Sequence, residues 1–363
     1  MARIYLDYNA TAPIRPEVIA RVGEAMRVAG NASSIHGDGR SARKIIEDAR
    51  SEVAALVGVQ PAQVIFNSGA TEGNNTILSG YKDKRVLILA AEHPSVLEAA
   101  PFAQKIPVTK DGAIDLDAFE KLLPADLVCV QLVNSETGVI QPLAEVSALC
   151  KKHGALLLCD AVQAAGRIAL DFTSLGADYM TLSAHKFGGP QGVGALIFRT
   201  GLQIPKFLHG GGQEKRQRAG TENIAGIAGM GAAAKIAAAE IAAYQTRTKS
   251  LQAKLESALK TIANDLVITG ENAPRVSNTT NVIIPHVSAE TMLMALDLEG
   301  VSASSGSACS SGTFKPSHVL TVMGYSEAEA KSALRFSTGW ATTEAEIDAA
   351  LDALRKVLTR VRK

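Results

Sequence analysis

The chain reads as an α/β protein: a mostly parallel sheet in a large domain, joined to a smaller α+β domain. Two observations carry this. Between residues 63 and 198, short apolar runs alternate with segments of helical spacing, and the runs are continuously apolar rather than alternating. Strands of that kind are covered on both faces, as in parallel sheets. Beyond residue 224 the alternation gives way to one long helical stretch, an isolated strand and further helices.

In chain order, residues 4–13 (IYLDYNATAP) form a short strand that ends in polar residues and a proline. Helical spacing covers 16–28, a polar loop follows at 31–39 (NASSIHGDG), and 41–57 is an amphipathic helix closed by Gly58. Strands are expected at 63–66, 85–90, 105–108, 127–133, 155–158, 179–183 and 193–198, with helices between several of them, including 143–152. A basic, glycine-rich loop spans 209–223, and a helix runs from about 224 to 264. A strand at 278–284 and helices at 289–299, 326–333 and 344–361 complete the chain. The large domain is assigned to 15–245, and the small one to 1–14 together with 246–363; the N-terminal strand is expected to pack in the small domain.

Composition narrows the function. A net charge of +1 argues against a nucleic-acid partner. The Ala-rich stretch 224–243 is the nearest approach to a bilayer span, but Lys235 and Glu240 interrupt it, so no membrane is expected. Patterned sequence begins at Ile4, leaving no room for a signal peptide. The four cysteines show neither metal spacing nor a disulfide framework, which points to a reducing, cytoplasmic setting. Cys129 and Cys159 lie in apolar runs and read as inert, buried thiols.

The polar residues fall at strand ends. Thr71, His93, Asn134, Asp160, Gln163 and Lys186 each follow the carboxyl end of an expected strand, the edge where open α/β sheets bind ligands. Ser68-Gly69-Ala70-Thr71 opens a helix and forms a cup for an anion. Asp160 ends a buried strand and needs a cationic partner there, while Gln163 can donate to a phenolate oxygen. His93 offers a flat ring and a proton that titrates near neutral pH. Lys186 sits between two apolar strands, where partial desolvation favours the nucleophilic amine. A phosphate cup, an aspartate, a stacking histidine and a lysine together describe a pyridoxal phosphate site.

The residues also resemble a family. YLDYNATAP (5–13), NSGATEGNN (67–75), EHPSV (92–96), CDAVQ (159–163), SAHKFGGPQGVG (183–194), RAGTEN (218–223), SSGSACSSG (304–312) and RFSTG (335–339) are similar to motifs of NifS/IscS-type cysteine desulfurases, relatives of the class V aminotransferases. The resemblance implies fold type I and pyridoxal 5'-phosphate as cofactor. Lys186 would hold it as a Schiff base, Asp160 would meet the ring nitrogen, Gln163 the ring oxygen, and His93 would stack and shuttle protons. Ala70, Thr71, Ser183 and His185 would bind the phosphate, and Thr221 would reach the phosphate of the other subunit in a two-fold homodimer. Asn134 would lie near the ring oxygen and substrate. Arg335 would clamp the carboxylate of L-cysteine, and Asn9 and His36 fall on the substrate side.

Cys309 lies in a stretch too polar and glycine-rich for a core strand. The resemblance makes it the sulfur acceptor, forming a persulfide and releasing L-alanine. Sulfur would then pass to an iron–sulfur scaffold or another acceptor protein, and Cys309 could also ligate a transient iron–sulfur cluster; no resident metal is implied. Ser135, Thr338 and Trp340 depart from the family pattern, and Trp340 is expected to bear on partner docking or the substrate pocket. An aminotransferase needs no loop thiol, so Cys309 argues against that alternative. A selenocysteine lyase stays within the same chemistry, whereas a binding-only scaffold would need neither Lys186 nor Cys309.

Overall fold

Apolar runs of Val, Ile and Leu bury both faces of one central sheet. In the computed structural model, which describes residues 3–306 and 315–362, the strands are β1 (Ile4–Tyr5), β2 (Val64–Asn67), β3 (Val86–Leu89), β4 (Gln104–Ile106), β5 (Leu127–Cys129), β6 (Leu156–Asp160), β7 (Tyr179–Ser183), β8 (Gly194–Phe198), β9 (Val267–Ile268), β10 (Thr279–Ile283), β11 (Val301–Ser302) and β12 (Ala333–Ser337). The central sheet has the order β2-β8-β7-β6-β5-β3-β4. β4, β3, β5, β6 and β7 are parallel; β8 runs antiparallel to both β7 and β2. Six of the seven strands therefore point one way, and their carboxyl ends share an edge. Within β2, Val64 and Phe66 enter one hydrophobic cluster while Ile65 enters another, as expected of a sheet covered on both faces.

A second sheet, β12-β10-β9, is antiparallel, and β1 pairs in parallel with β11 beside it. Leu6 joins Val282, Leu334, Phe336 and Leu354 in a separate cluster, so the N-terminal segment packs with this half. The Ile224–Ile262 helix serves both halves. Ile227, Met230 and Ala234 pack in the main core, and Leu251, Leu255 and Leu259 in the second. The expected division near residue 245 thus falls inside one continuous helix. By length and composition this helix would suit a membrane, but half of its apolar window is buried in the protein. Its glycines explain the close fit: a Cβ on Gly231 would lie 2.6 Å from the Cα of Ala49 on the Gly37–Val57 helix.

Two elements differ from expectation. The 127–133 strand stops at Cys129, because Gln131 turns its groups to Glu92 and the Ala91 carbonyl. The helix expected at 326–333 shortens to Glu327–Ala330, since the apolar residues that follow form β12 against the centre of the small sheet.

A buried ion pair fixes the basic loop to the main sheet. Arg50 and Glu214 are buried and paired twice, at 2.7 and 2.8 Å. Arg50 also donates to the Val64 carbonyl, and Glu214 accepts the Phe66 N–H. Removing one partner strands the other charge in the interior. Glu214→Ala is expected to lower the unfolding free energy by about 3–5 kcal/mol, read from urea denaturation.

Candidate active site

The Ala70–Ser79 helix opens directly from β2 through Gly69, whose φ of 151° suits glycine. First-turn N–H groups have no partner within a helix, and the helix dipole adds positive potential there. The Ala70 N–H donates to the Ser183 hydroxyl at the end of β7, 2.9 Å away. Thr71, Ser183 and His185 line an open cleft of about 450 Å³ with Ala10 and Thr11. His185 Nδ1 lies 3.2 Å from the Thr11 hydroxyl. Burial first, then the charges of Lys186 and Arg167, push its pKa down to about 4.

Lys186 is held next to this cleft. It sits in a single turn between β7 and the antiparallel β8, and Nζ donates to the main-chain carbonyls of Asn9 (2.6 Å) and Ala10 (2.8 Å). The Asn9 carbonyl also accepts from Gln163 Nε2 at 3.1 Å. Arg167, wholly buried, donates to Gln163 Oε1 and so orients that amide with its N–H groups outward from the guanidinium. Asn9 thus reaches the site through its backbone. Its side-chain N–H groups are already committed to the Ser135 carbonyl and Thr279 hydroxyl, both at 2.9 Å.

Asp160 ends β6 almost fully buried, with Oδ1 accepting from the Val162 N–H and Oδ2 from Asn74, each at 3.0 Å. His93 caps the helix after β3, and its Nδ1 accepts the Ser95 N–H at 3.1 Å. His93 is exposed at the surface of the site, yet burial by the surrounding atoms lowers its pKa; the charge of Asp160 opposes this, and Lys186 and His318 add to it. Neighbouring Glu92 is fully buried, and burial first, then the charge of Asp160, raise its pKa well up and favour the neutral acid.

The remaining expected residues are distributed as follows. Asn134 is buried in its own turn, where Oδ1 accepts from the N–H groups of Glu136 and Thr137. Arg335 on β12 is paired with Asp7 at 2.8 Å and with the Ser135 carbonyl at 3.1 Å, while its buried Nε has no partner among the described residues. Thr221 is exposed in the loop after Arg218, which pairs with Glu72 beside the helix start. His36 is not brought to the cluster: it is exposed and caps the Gly37–Val57 helix through the Gly39 N–H. Cys309 lies outside the described residues. Trp340 is fastened by the Pro13 carbonyl (2.9 Å) and by Arg15 stacked 5.0 Å from its ring. The other three cysteines are buried, with thiol pKa values raised chiefly by burial, that of Cys150 to about 12. Asn74, Ser95, Thr181, Arg167 and Asp7 escaped the sequence reading, because nothing local distinguishes them from ordinary helix, strand and loop residues.

The aminotransferase class-V profile matches residues 4–350. The chain belongs to that family. Within it, the chain is 38% identical to a cysteine desulfurase IscS of Dictyoglomus turgidum, over 99% of this chain and 95% of the relative. An IscS-like cysteine desulfurase of Mycobacterium tuberculosis is 36% identical, over 99% and 97% respectively. The X-ray structure of a NifS-like protein from Rickettsia africae superposes with a TM-score of 0.93 at 37% identity, covering 98% of this chain and 99% of that one. The class V family uses pyridoxal phosphate. This chain's residues fit it: a helix start for a phosphate, a buried carboxylate at a strand end for a pyridinium nitrogen, and an ammonium held by main-chain carbonyls between them.

Because the folded chain favours neutral His185, an unfolded chain binds the additional proton between pH 6.5 and about 4, and stability is lost as pH falls through that window. In cofactor-free protein, the His185 ring is expected to remain neutral at pH 5.5 in an NMR titration, whereas a midpoint near 6.5 would contradict the described burial.

Proposed function

We propose that this class-V enzyme is a pyridoxal phosphate-dependent cysteine desulfurase that converts L-cysteine to L-alanine and keeps the sulfur as a persulfide on Cys309. The supporting observation is the joint delivery of the Ala70 helix start, Asp160, His93 and Lys186 to one sheet edge, in a chain similar to cysteine desulfurases along its whole length. Bound there, pyridoxal phosphate supplies an electron sink for bonds at the substrate α- and β-carbons.

The chain's own residues do the rest. Ala70, Thr71, Ser183 and His185 hold the phosphate. Lys186 carries the cofactor, Asp160 keeps the ring nitrogen charged, and Gln163 donates to the ring oxygen, with Asn134 beside it. His93 stacks on the ring and moves protons. Arg335, already oriented by Asp7 and Ser135, receives the substrate carboxylate. Asn9 shapes the substrate side through its backbone carbonyl. The Cys309 thiolate takes the sulfur: the substrate C–S bond breaks, an S–S bond forms, and alanine carries the protons. The sulfur then goes to an acceptor such as an iron–sulfur scaffold protein.

The working form is a homodimer in which Thr221 reaches the partner subunit's phosphate. Exposed apolar side chains on the first helix (Ile19, Met26) and before the basic loop (Phe207, Leu208) favour such an assembly. The unpaired, buried thiols favour a reducing, cytoplasmic setting.

Borohydride reduction of the yellow holoenzyme followed by peptide mapping is expected to place the label on Lys186; a label on another lysine would refute that role. Cys309→Ser is expected to retain cofactor and bind L-cysteine with a spectral change, yet release almost no alanine. Substitution of Cys129, Cys150 or Cys159 should leave turnover largely intact. A persulfide mapped by mass to any of those three would identify a different acceptor.

A further inference from the structure

Asp160 and His93 are joined by hydrogen bonds that run through side chains without an assigned part in the reaction. Asn74, fully buried in the helix that begins at Ala70, donates from Nδ2 to Asp160 Oδ2 and to Ser95 Oγ, both at 3.0 Å. Both N–H bonds of that amide are therefore spent. Its Oδ1 accepts from the Thr181 hydroxyl at 2.9 Å, and Thr181 lies opposite Asp160 across β6 and β7. Reversing the amide would set its oxygen against the Asp160 carboxylate, so Thr181 settles which way it faces.

The bonds continue to the histidine. Ser95 Oγ accepts from Asn74, so its single proton is free to go to His93 Nδ1, 2.8 Å away. The Ser95 N–H points to the same nitrogen. With Nδ1 occupied by two donors, a neutral His93 carries its proton on Nε2.

We propose that Asn74, oriented by Thr181, is a positioning residue that aims the Asp160 carboxylate at the cofactor ring nitrogen and, through Ser95, fixes the tautomer of His93. The inference rests on the roles given above to Asp160 and His93. It makes the contact to the ring nitrogen and the stacking contact parts of a single hydrogen-bonded unit. An amide suits the task because it offers two donors and an acceptor on a short, rigid fork, and among the described residues no other side chain bonds Asp160.

The test uses holoenzyme of the wild type and of Thr181→Val, Thr181→Ser, Asn74→Ala and Ser95→Ala. Asn74→Ala is expected to raise the dissociation constant of pyridoxal phosphate about tenfold or more, the loss of a hydrogen bond to a charged group, and Thr181→Val to raise it in the same direction by releasing the Asn74 amide. Thr181→Ser, which keeps the hydroxyl, should return to within about twofold of wild type. In protein labelled with ¹⁵N-histidine, with the His93 signals assigned by their loss in His93→Gln, wild type should show unprotonated Nδ1 and protonated Nε2. Ser95→Ala and Asn74→Ala should show mixed tautomers, and kcat should fall more than KM changes. Unchanged cofactor affinity in both Asn74→Ala and Thr181→Val would overturn the Asp160 half, and a single unchanged tautomer would overturn the His93 half. If Asn74→Ala fails to fold, the Thr181 pair and Ser95→Ala still decide. Wild-type protein that binds no pyridoxal phosphate would refute the underlying reading of the site, which is a different result from normal wild-type binding with unaffected variants.

Discussion

The main-chain carbonyl of Asn9 is the contact on which the rest of the site depends. It accepts from Lys186 and Gln163, which stand at the ends of neighbouring strands of the large sheet. The same residue is clamped from the other half of the molecule: its N–H donates to the Ser337 hydroxyl, and its side chain meets Thr279 and Asn278. Asn9, Gln163, Asn278, Thr279 and Ser337 are buried, where an unmet polar group is costly, and Lys186 is half-buried beside them, so each bond reinforces the position of the others. A short N-terminal segment therefore serves as the seam between two sheets, and the lysine is placed by both.

Around that seam, burial rather than pairing sets the charge pattern. His185 and His93 are pushed toward neutrality by their surroundings, and Glu92 toward the acid. Lys186 and Arg335 supply positive charge close to the Ala70 helix start and β12, with Asp7 balancing the guanidinium. The cleft side of the Ala70 helix start and Lys186 suits a phosphate, Arg335 suits a carboxylate, and the buried Asp160 carboxylate belongs to the same site. That polarity matches an amino acid held on a phosphorylated pyridine ring.

Much of this was legible in the sequence, and the reasons are physical. Strand–helix alternation with unbroken apolar strands is a strong signal, and it places Thr71, His93, Asp160, Gln163 and Lys186 at one edge without knowledge of any contact. Tyr179–Ser183 and Glu344–Val361 were fixed to the residue by their apolar periodicity and flanking turns. What stayed hidden depends on partners far apart in the chain. β12 was not read as a strand, and the helix expected at 326–333 overran its first residue, because its strand character comes from pairing with β10. Asn74, Thr181 and Ser95 are distant in sequence, and only the sheet and the packed helix bring them within hydrogen-bonding reach. The resemblance of its motif put Asn9 on the substrate side, and only the folded chain shows its side chain bonded to Ser135 and Thr279.

The Ile224–Ile262 helix has a mechanical meaning beyond the packing described for it. At 39 residues it is about 58 Å long, a single rod whose two ends belong to different hydrophobic clusters. No loop interrupts the helix between the two clusters. The two halves therefore share one structural member, and whatever displaces one end of the rod bears on the packing of both clusters.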